Sequence, residues 1–166
     1  MDVPFLEQVK IQAQVLVPLI KVFQAEFGRE RTNAIVPQAL WEFYRQFGEQ
    51  WWAQTPGAPT EKIAAAIEMF AIDNAIDVQL LKQTPEAYEF NITGCRYAKF
   101  FRDLGVPELG YLLVCSIDPP MTEGYGGDVE LTRTQTIMQG ATHCDFRYRI
   151  ASGTKDPGQG SSTDKA

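Results

Sequence analysis

Tyr88-Glu89-Phe90-Asn91-Ile92-Thr93-Gly94-Cys95 is where the sequence changes its period. Tyr88, Phe90 and Ile92 alternate with Glu89, Asn91 and Thr93, which reads as a strand with one face buried. Gly94-Cys95 ends it. The residues before this passage have helical spacing, and further alternating stretches follow it. The order, helices first and strands later, predicts an α+β fold.

Upstream, Ile63, Ile67, Phe70, Ile76 and Leu80 predict a helix from Ile63 to Leu81, with Thr60 as its N-cap and Thr84-Pro85 closing it. Thr55-Pro56-Gly57-Ala58-Pro59 is a loop by composition. A further helix is expected from about Arg31 to Trp52, with Pro37 inside it and an aromatic series that includes Trp41, Phe43, Tyr44 and Phe47. That series suits a core or a stripe facing a partner. Phe5 to Phe27 shows steps of three and four, the mark of one buried helix face. Pro18 is expected to kink or split this stretch, and Gly28 to cap it.

Downstream, Tyr97 to Leu104 reads as a short helix stopped by Gly105. The apolar run Glu108 to Cys115 leans towards helix. Asp118-Pro119-Pro120 is expected to break it, and Gly124 to Gly127 to form a loop. Val129 to Met138 and Thr142 to Ile150 read as two strands of an antiparallel hairpin around Gln139-Gly140-Ala141. The expected architecture is an N-terminal helical layer packed on a small antiparallel β-sheet, one domain over residues 1–151. Residues 152–166 hold no large apolar side chain and are expected to be a disordered tail.

A chain of 166 residues fits one domain and can bury roughly 70 % of its unfolded surface, so its core needs no disulfide or metal. Its 45 % apolar and 22 % charged residues exclude a wholly disordered or fibrous chain. The net charge of −6 makes it a poor counter-ion for phosphate backbones, so no nucleic-acid partner is expected. No apolar run approaches the roughly 20 residues that cross a bilayer, and Met-Asp-Val-Pro-Phe lacks the basic start of a signal peptide. The three widely spaced cysteines suit free thiols in a reducing cytoplasm. The expectation is a cytoplasmic chain, with a homo-oligomer open, acting on a small molecule.

His143, the only histidine, stands beside Cys144 and Asp145, and this trio can do nucleophilic chemistry. On a strand, however, neighbours point to opposite faces. His143, Asp145, Arg147 and Arg149 then share one face, while Cys144, Phe146, Tyr148 and Ile150 face the helices. A His143–Cys144 dyad needs a bulge; without one, Cys144 is equally a small buried hydrophobe. Cys115 and Asp118 stand three apart at the Pro-Pro break and can face one cleft. Asp118 suits a general acid or base better than a thiol activator, because its charge raises a neighbouring thiol's pKa. Ordinary turn capping is the plainer reading. Cys95 precedes a helix whose dipole lowers a thiol pKa, which makes it the cysteine best activated by local structure, with packing as the alternative. Cys95, Cys115 and either His143 or Cys144 could ligate zinc, but the spacings are long and no C-x-x-C pair occurs. No metal or other cofactor is therefore expected. Arg133 and Arg147 are candidates to hold a substrate carboxylate, with Asp145 and Thr134 beside them. Arginines on a hairpin are also often merely solvated.

Thr132-Arg133-Thr134-Gln135-Thr136-Ile137-Met138-Gln139-Gly140-Ala141-Thr142-His143-Cys144-Asp145-Phe146-Arg147-Tyr148 resembles the signature of the L-2-amino-thiazoline-4-carboxylic acid hydrolase family, which runs close to R-T-x-T-x-x-x-G-A-x-x-C-D-F-R. Thr93-Gly94-Cys95-Arg96-Tyr97-Ala98 and Cys115-Ser116-Ile117-Asp118 fit that family as well. The resemblance implies hydrolytic opening of a small cyclic amidine to an N-carbamoyl amino acid, and a C–N (or C=N) bond is the expected point of scission. It frames Cys115, Asp118, His143, Cys144 and Cys95 as catalytic candidates, and Arg133, Arg147, Asp145 and Thr134 as substrate-binding ones. The cleft is expected between helices and sheet. The layout also resembles 4-vinyl-reductase-type ligand-binding domains, which would bind a small molecule without turnover. A purely structural module would use the aromatic helices as its interface.

Overall fold

The computed structural model describes residues 3–151, so the expected disordered tail from Ser152 lies outside the described residues. Helix α1 (Phe5–Phe27) buries Leu6, Val9, Ala13 and Ile20. It runs through Pro18 as one helix, not two. Pro18 is on the exposed side, where the carbonyl that loses its N–H partner can reach water. Gly28, at φ 86°, reverses the chain into α2 (Arg29–Gln54), a conformation that costs a glycine little. Gln24 donates to Asn33 across this turn at 2.8 Å.

Helix α3 spans Pro59–Ala71. Its cap is Ala58, not Thr60, and the Glu61 carboxylate accepts from the Ala58 N–H at 2.7 Å. The larger departure follows. The expected helix to Leu81 stops at Ala71, because Asp73 and Asn74 adopt φ of 58° and 55°. Asp and Asn tolerate this left-handed region better than most residues. Ile76 and Leu80 then belong to strand β1 (Ile76–Thr84). A two-residue turn leads into β2 (Ala87–Cys95). Helices α4 (Arg96–Asp103) and α5 (Pro107–Leu113) follow.

Asp118 begins an element where a break was expected. After a 3-10 turn over Cys115–Ile117, helix α6 covers Asp118–Gly124, with proline tolerated in its first turn. Gly48 of α2 and Gly124 of α6 let these helices approach backbone to backbone. A methyl on Gly48 would strike the Met121 backbone, and one on Gly124 would strike the Arg45 carbonyl. This contact sets where the first turn of α6, and therefore Asp118, stands.

Strand β3 is Val129–Thr132 and β4 is Cys144–Ile150, paired antiparallel as expected. β3 ends six residues earlier than the sequence pattern suggests. Beyond Thr132, the Thr134 and Gln135 N–H groups donate to the Asp145 carboxylate instead of to a ladder partner. A 3-10 turn at Ile137–Gln139 follows. The sheet order is β1-β2-β4-β3, all antiparallel. Its inner face pairs Tyr88 with Tyr148, Phe90 with Phe146 and Ile92 with Cys144. The Phe90 and Phe146 rings stack at 4.8 Å, worth about 1 kcal/mol beyond their burial. The helices cover this face, which gives the α+β architecture. Among the described residues, no helix is long and apolar enough to cross a membrane.

Candidate functional site

A cavity of about 80 Å³ lies between the helices and the inner sheet face. Cys95, Cys115, Asp118, Arg133 and Cys144 all line it, though they span fifty residues of sequence. Each arrives by a local rule. Cys95 ends β2 and caps α4, its sulfur accepting from the Ala98 N–H at 3.4 Å. Cys115 opens the 3-10 turn that precedes α6, and Asp118 lies in the first turn of α6. Cys144 points inward by strand parity, and its sulfur accepts from the Ile137 N–H at 3.2 Å.

Arg133 completes the group. It donates to the Asp118 carboxylate and, at 3.0 Å, to the Cys115 carbonyl. Its guanidinium also lies 5.5 Å from the centre of the Phe146 ring. The segment that carries Arg133 is fixed from behind. Asp145 accepts from the Thr134 N–H at 2.9 Å, the Thr134 hydroxyl at 2.6 Å and the Gln135 N–H at 2.9 Å.

Electrostatics separate the groups. Burial pushes the Asp118 carboxyl up to about 6, against the opposing pull of Arg133. Burial also pushes Cys144 up to about 11, and the Ile137 N–H offsets only part of this. Cys115 is held well above the ordinary thiol value by burial and then by Asp118. Cys95 is raised too, because burial outweighs the Ala98 and Tyr97 N–H groups. The helix start therefore does not activate Cys95 as its position suggested. Desolvation of a thiolate wins over the capping N–H groups.

Other expected site residues lie elsewhere. His143 precedes β4 and does not line the cavity; Gln135 Nε2 lies 3.0 Å from its Nε2, and Thr142 Oγ1 3.1 Å from its Nδ1. Arg147 is on the outer sheet face, donating to the Phe90 and Phe146 carbonyls at 2.8 Å and to Asn91 at 3.0 Å. Thr134 and Asp145 bond to each other outside the cavity. Among the described residues no group of three or more His, Cys, Asp and Glu can hold a metal ion.

Three tyrosines on the cavity wall, Tyr97, Tyr125 and Tyr148, are not among the candidates drawn from the sequence. Burial raises the pKa of all three, so they remain neutral phenols. Tyr97 donates to the Phe70 carbonyl at 3.1 Å. Tyr125 stacks on Trp52 at 4.9 Å. Strand parity already placed Tyr148 beside Cys144; nothing local marked Tyr125.

The cavity is lined mostly by apolar side chains, with the Arg133–Asp118 pair setting a fixed cation beside a carboxyl whose pKa is about 6. The family model described as L-2-amino-thiazoline-4-carboxylic acid hydrolase matches residues 8–148 of the 166. No curated protein matches the chain.

Proposed function

Because the chain belongs to the L-2-amino-thiazoline-4-carboxylic acid hydrolase family, we propose that its cavity hydrolyses a small ring amidine bearing a carboxylate. The observation that carries this reading is the Arg133–Asp118 pair on the cavity wall. A substrate with a carboxylate at one end and an amidinium at the other meets a cation and an anion already side by side. Arg133 takes the carboxylate on its planar fork. Asp118 stays beside the amidinium carbon and serves as the base.

Water adds to that carbon and leaves one proton on Asp118. The tetrahedral carbon then expels the ring sulfur, which takes the proton back from Asp118. The new hydroxyl becomes the carbonyl of the carbamoyl group and releases its proton to solvent. Atom balance fixes the bond that breaks. An N-carbamoyl product keeps both nitrogens on the former amidine carbon, so the thiazoline opens at C–S. The expected C–N scission would leave the carbamoyl group on sulfur, and it is replaced here on that ground. A thiol leaves with an ordinary pKa of about 8.5, so it asks little of the general acid. Burial keeps the three cysteines as thiols, so water rather than a resting thiolate is the nucleophile.

The test incubates the full chain with L-2-amino-thiazoline-4-carboxylate and follows the ligand by mass spectrometry. A gain of one water is the expected result. The same ring without its carboxylate should turn over far more slowly, since Arg133 has nothing to hold. Tight binding of the carboxylate compound with no gain of water would place the chain among non-catalytic ligand-binding domains and overturn the reading.

A further inference from the structure

Helix α1 is apolar on two sides. One side carries Leu6, Val9, Ala13 and Ile20 into the core. The opposite side carries Ile11, Val15, Leu19 and Val22, at 60, 67, 45 and 63 % exposure. These four follow spacings of four, four and three, so they form one stripe along the helix. From Ile11 to Ala25 the one charged residue, Lys21, lies on the flank with Gln14 and Pro18 and not on the stripe itself, and Gln12 borders the other side. The stripe opens onto a groove of about 460 Å³ between α1 and α2, which Phe43, 63 % exposed, helps to line.

We propose that this face binds a second copy of the chain, with α1 packing antiparallel on its two-fold mate. Two observations select that occupant. First, the stripe is complementary to itself. Reversing α1 about a point between Val15 and Leu19 sets Val15 against Leu19 and brings Ile11 within one residue of Val22, apolar on apolar with Lys21 left at the rim, as an isologous contact requires. Second, the area is right. The four stripe residues with Phe23 and Phe43 leave on the order of 600 Å² of side-chain surface uncovered, at roughly 200 Å² for each fully exposed residue. That is at the top of what a monomer exposes in one patch, and with the glutamine rim it approaches the ~800 Å² that one partner gives to a standard interface. The exposed strand β1 is a poorer site for pairing, because a bulge falls between Leu80 and Lys82 and the charges of Asp77 and Lys82 guard the edge.

Sedimentation equilibrium of the full chain up to roughly 100 μM tests this. The expected mass is twice 18.6 kDa. Val15→Glu should weaken the association at least 100-fold and leave the far-ultraviolet circular dichroism unchanged. If Val15→Glu fails to fold, the milder double variant Ile11→Gln with Val22→Gln should give the same shift. Leu80→Glu, on the exposed part of β1, should leave the dimer intact. A monomer throughout that range overturns the proposal, as does an open series of larger species. So does a dimer that Leu80→Glu splits and the α1 variants do not.

Discussion

The two faces of β4 alternate residue by residue yet do opposite physical jobs. Cys144, Phe146 and Tyr148 point inward onto the cavity, where burial penalises charge. Asp145, Arg147 and Arg149 point outward, where charge is bonded: Asp145 holds Thr134 and Gln135, Arg147 spans two carbonyls, and Arg149 donates to Glu89 at 2.6 Å. The two aspartates tied to these faces show the consequence. Asp118, on the cavity, is raised to about 6. At Asp145, burial pushes upward, but the bonds from Thr134 and Gln135 outweigh it and hold the carboxyl below its ordinary value. The inner face holds a carboxyl whose pKa lies near neutrality; the outer face bonds its carboxylate to a loop. Asp145 links them, since the loop it holds carries Arg133.

Disabling the inner face should have the largest effect. Asp118→Asn should lower turnover by roughly 10²- to 10⁴-fold, the usual contribution of a positioned acid or base, with the fold retained. Steady-state kinetics beside circular dichroism checks this.

The next effect concerns stability against pH, where the two aspartates act with opposite sign. Asp118 binds its proton more tightly folded than unfolded, so its contribution is fully present below pH 3.8 and is lost as pH rises through about 6. The loss is on the order of 3 kcal/mol. Asp145 is depressed, so its contribution is present above the unfolded pKa and lost as pH falls through the folded one. Denaturant titrations across this range should show Asp118→Asn flattening the decline from pH 4 to 6. Asp145→Asn should flatten the loss at the acid end. The slope is the readout, because Asp118→Asn also leaves Arg133 with a neutral partner.

A smaller effect tests the link between the faces. Asp145→Ala removes three hydrogen bonds and should cost about 1–3 kcal/mol. It should also raise KM roughly tenfold, because Arg133 is no longer held in place for the substrate carboxylate. A KM unchanged in the folded variant would cut the link. The smallest effects bracket the comparison. Cys144→Ser should cost about 1–2 kcal/mol and leave turnover within a few-fold. Arg149→Ala, half exposed, should stay within about 0.5 kcal/mol.

Much of the inner face was legible in the sequence. Period two alone sorted Cys144, Phe146 and Tyr148 from Asp145 and Arg147, and Tyr88, Phe90 and Ile92 paired with them as the alternation implied. β1 reads as helix only while Ile76 and Leu80 are taken as a pair four apart; Ile76 stands six residues beyond Phe70 and so falls off the face of Ile63, Ile67 and Phe70. The left-handed pair Asp73-Asn74 held the missing stop signal. The sequence brought Cys115, Asp118 and Cys144 to one cleft, and the structure lines a single cavity with them. The electrostatics were less legible. A helix start suggested a low pKa for Cys95, but desolvation depends on what the whole fold packs around the sulfur. Arg133 and Arg147 are told apart by parity: Arg133 stands two residues beyond Leu131, which pairs with inward Tyr148, whereas Arg147 pairs with Thr132 on the outer face.

The most direct test is the pH dependence of kcat/KM for L-2-amino-thiazoline-4-carboxylate, measured on the parent chain, Asp118→Asn and Cys115→Ser. In the parent chain the rate should rise through about pH 6 as Asp118 loses its proton, then level off. Asp118→Asn should be slow and lack this limb, while Cys115→Ser keeps both limb and rate. A limb near pH 6 that survives in Asp118→Asn, or a rate abolished by Cys115→Ser with the fold intact, would contradict water activation by Asp118.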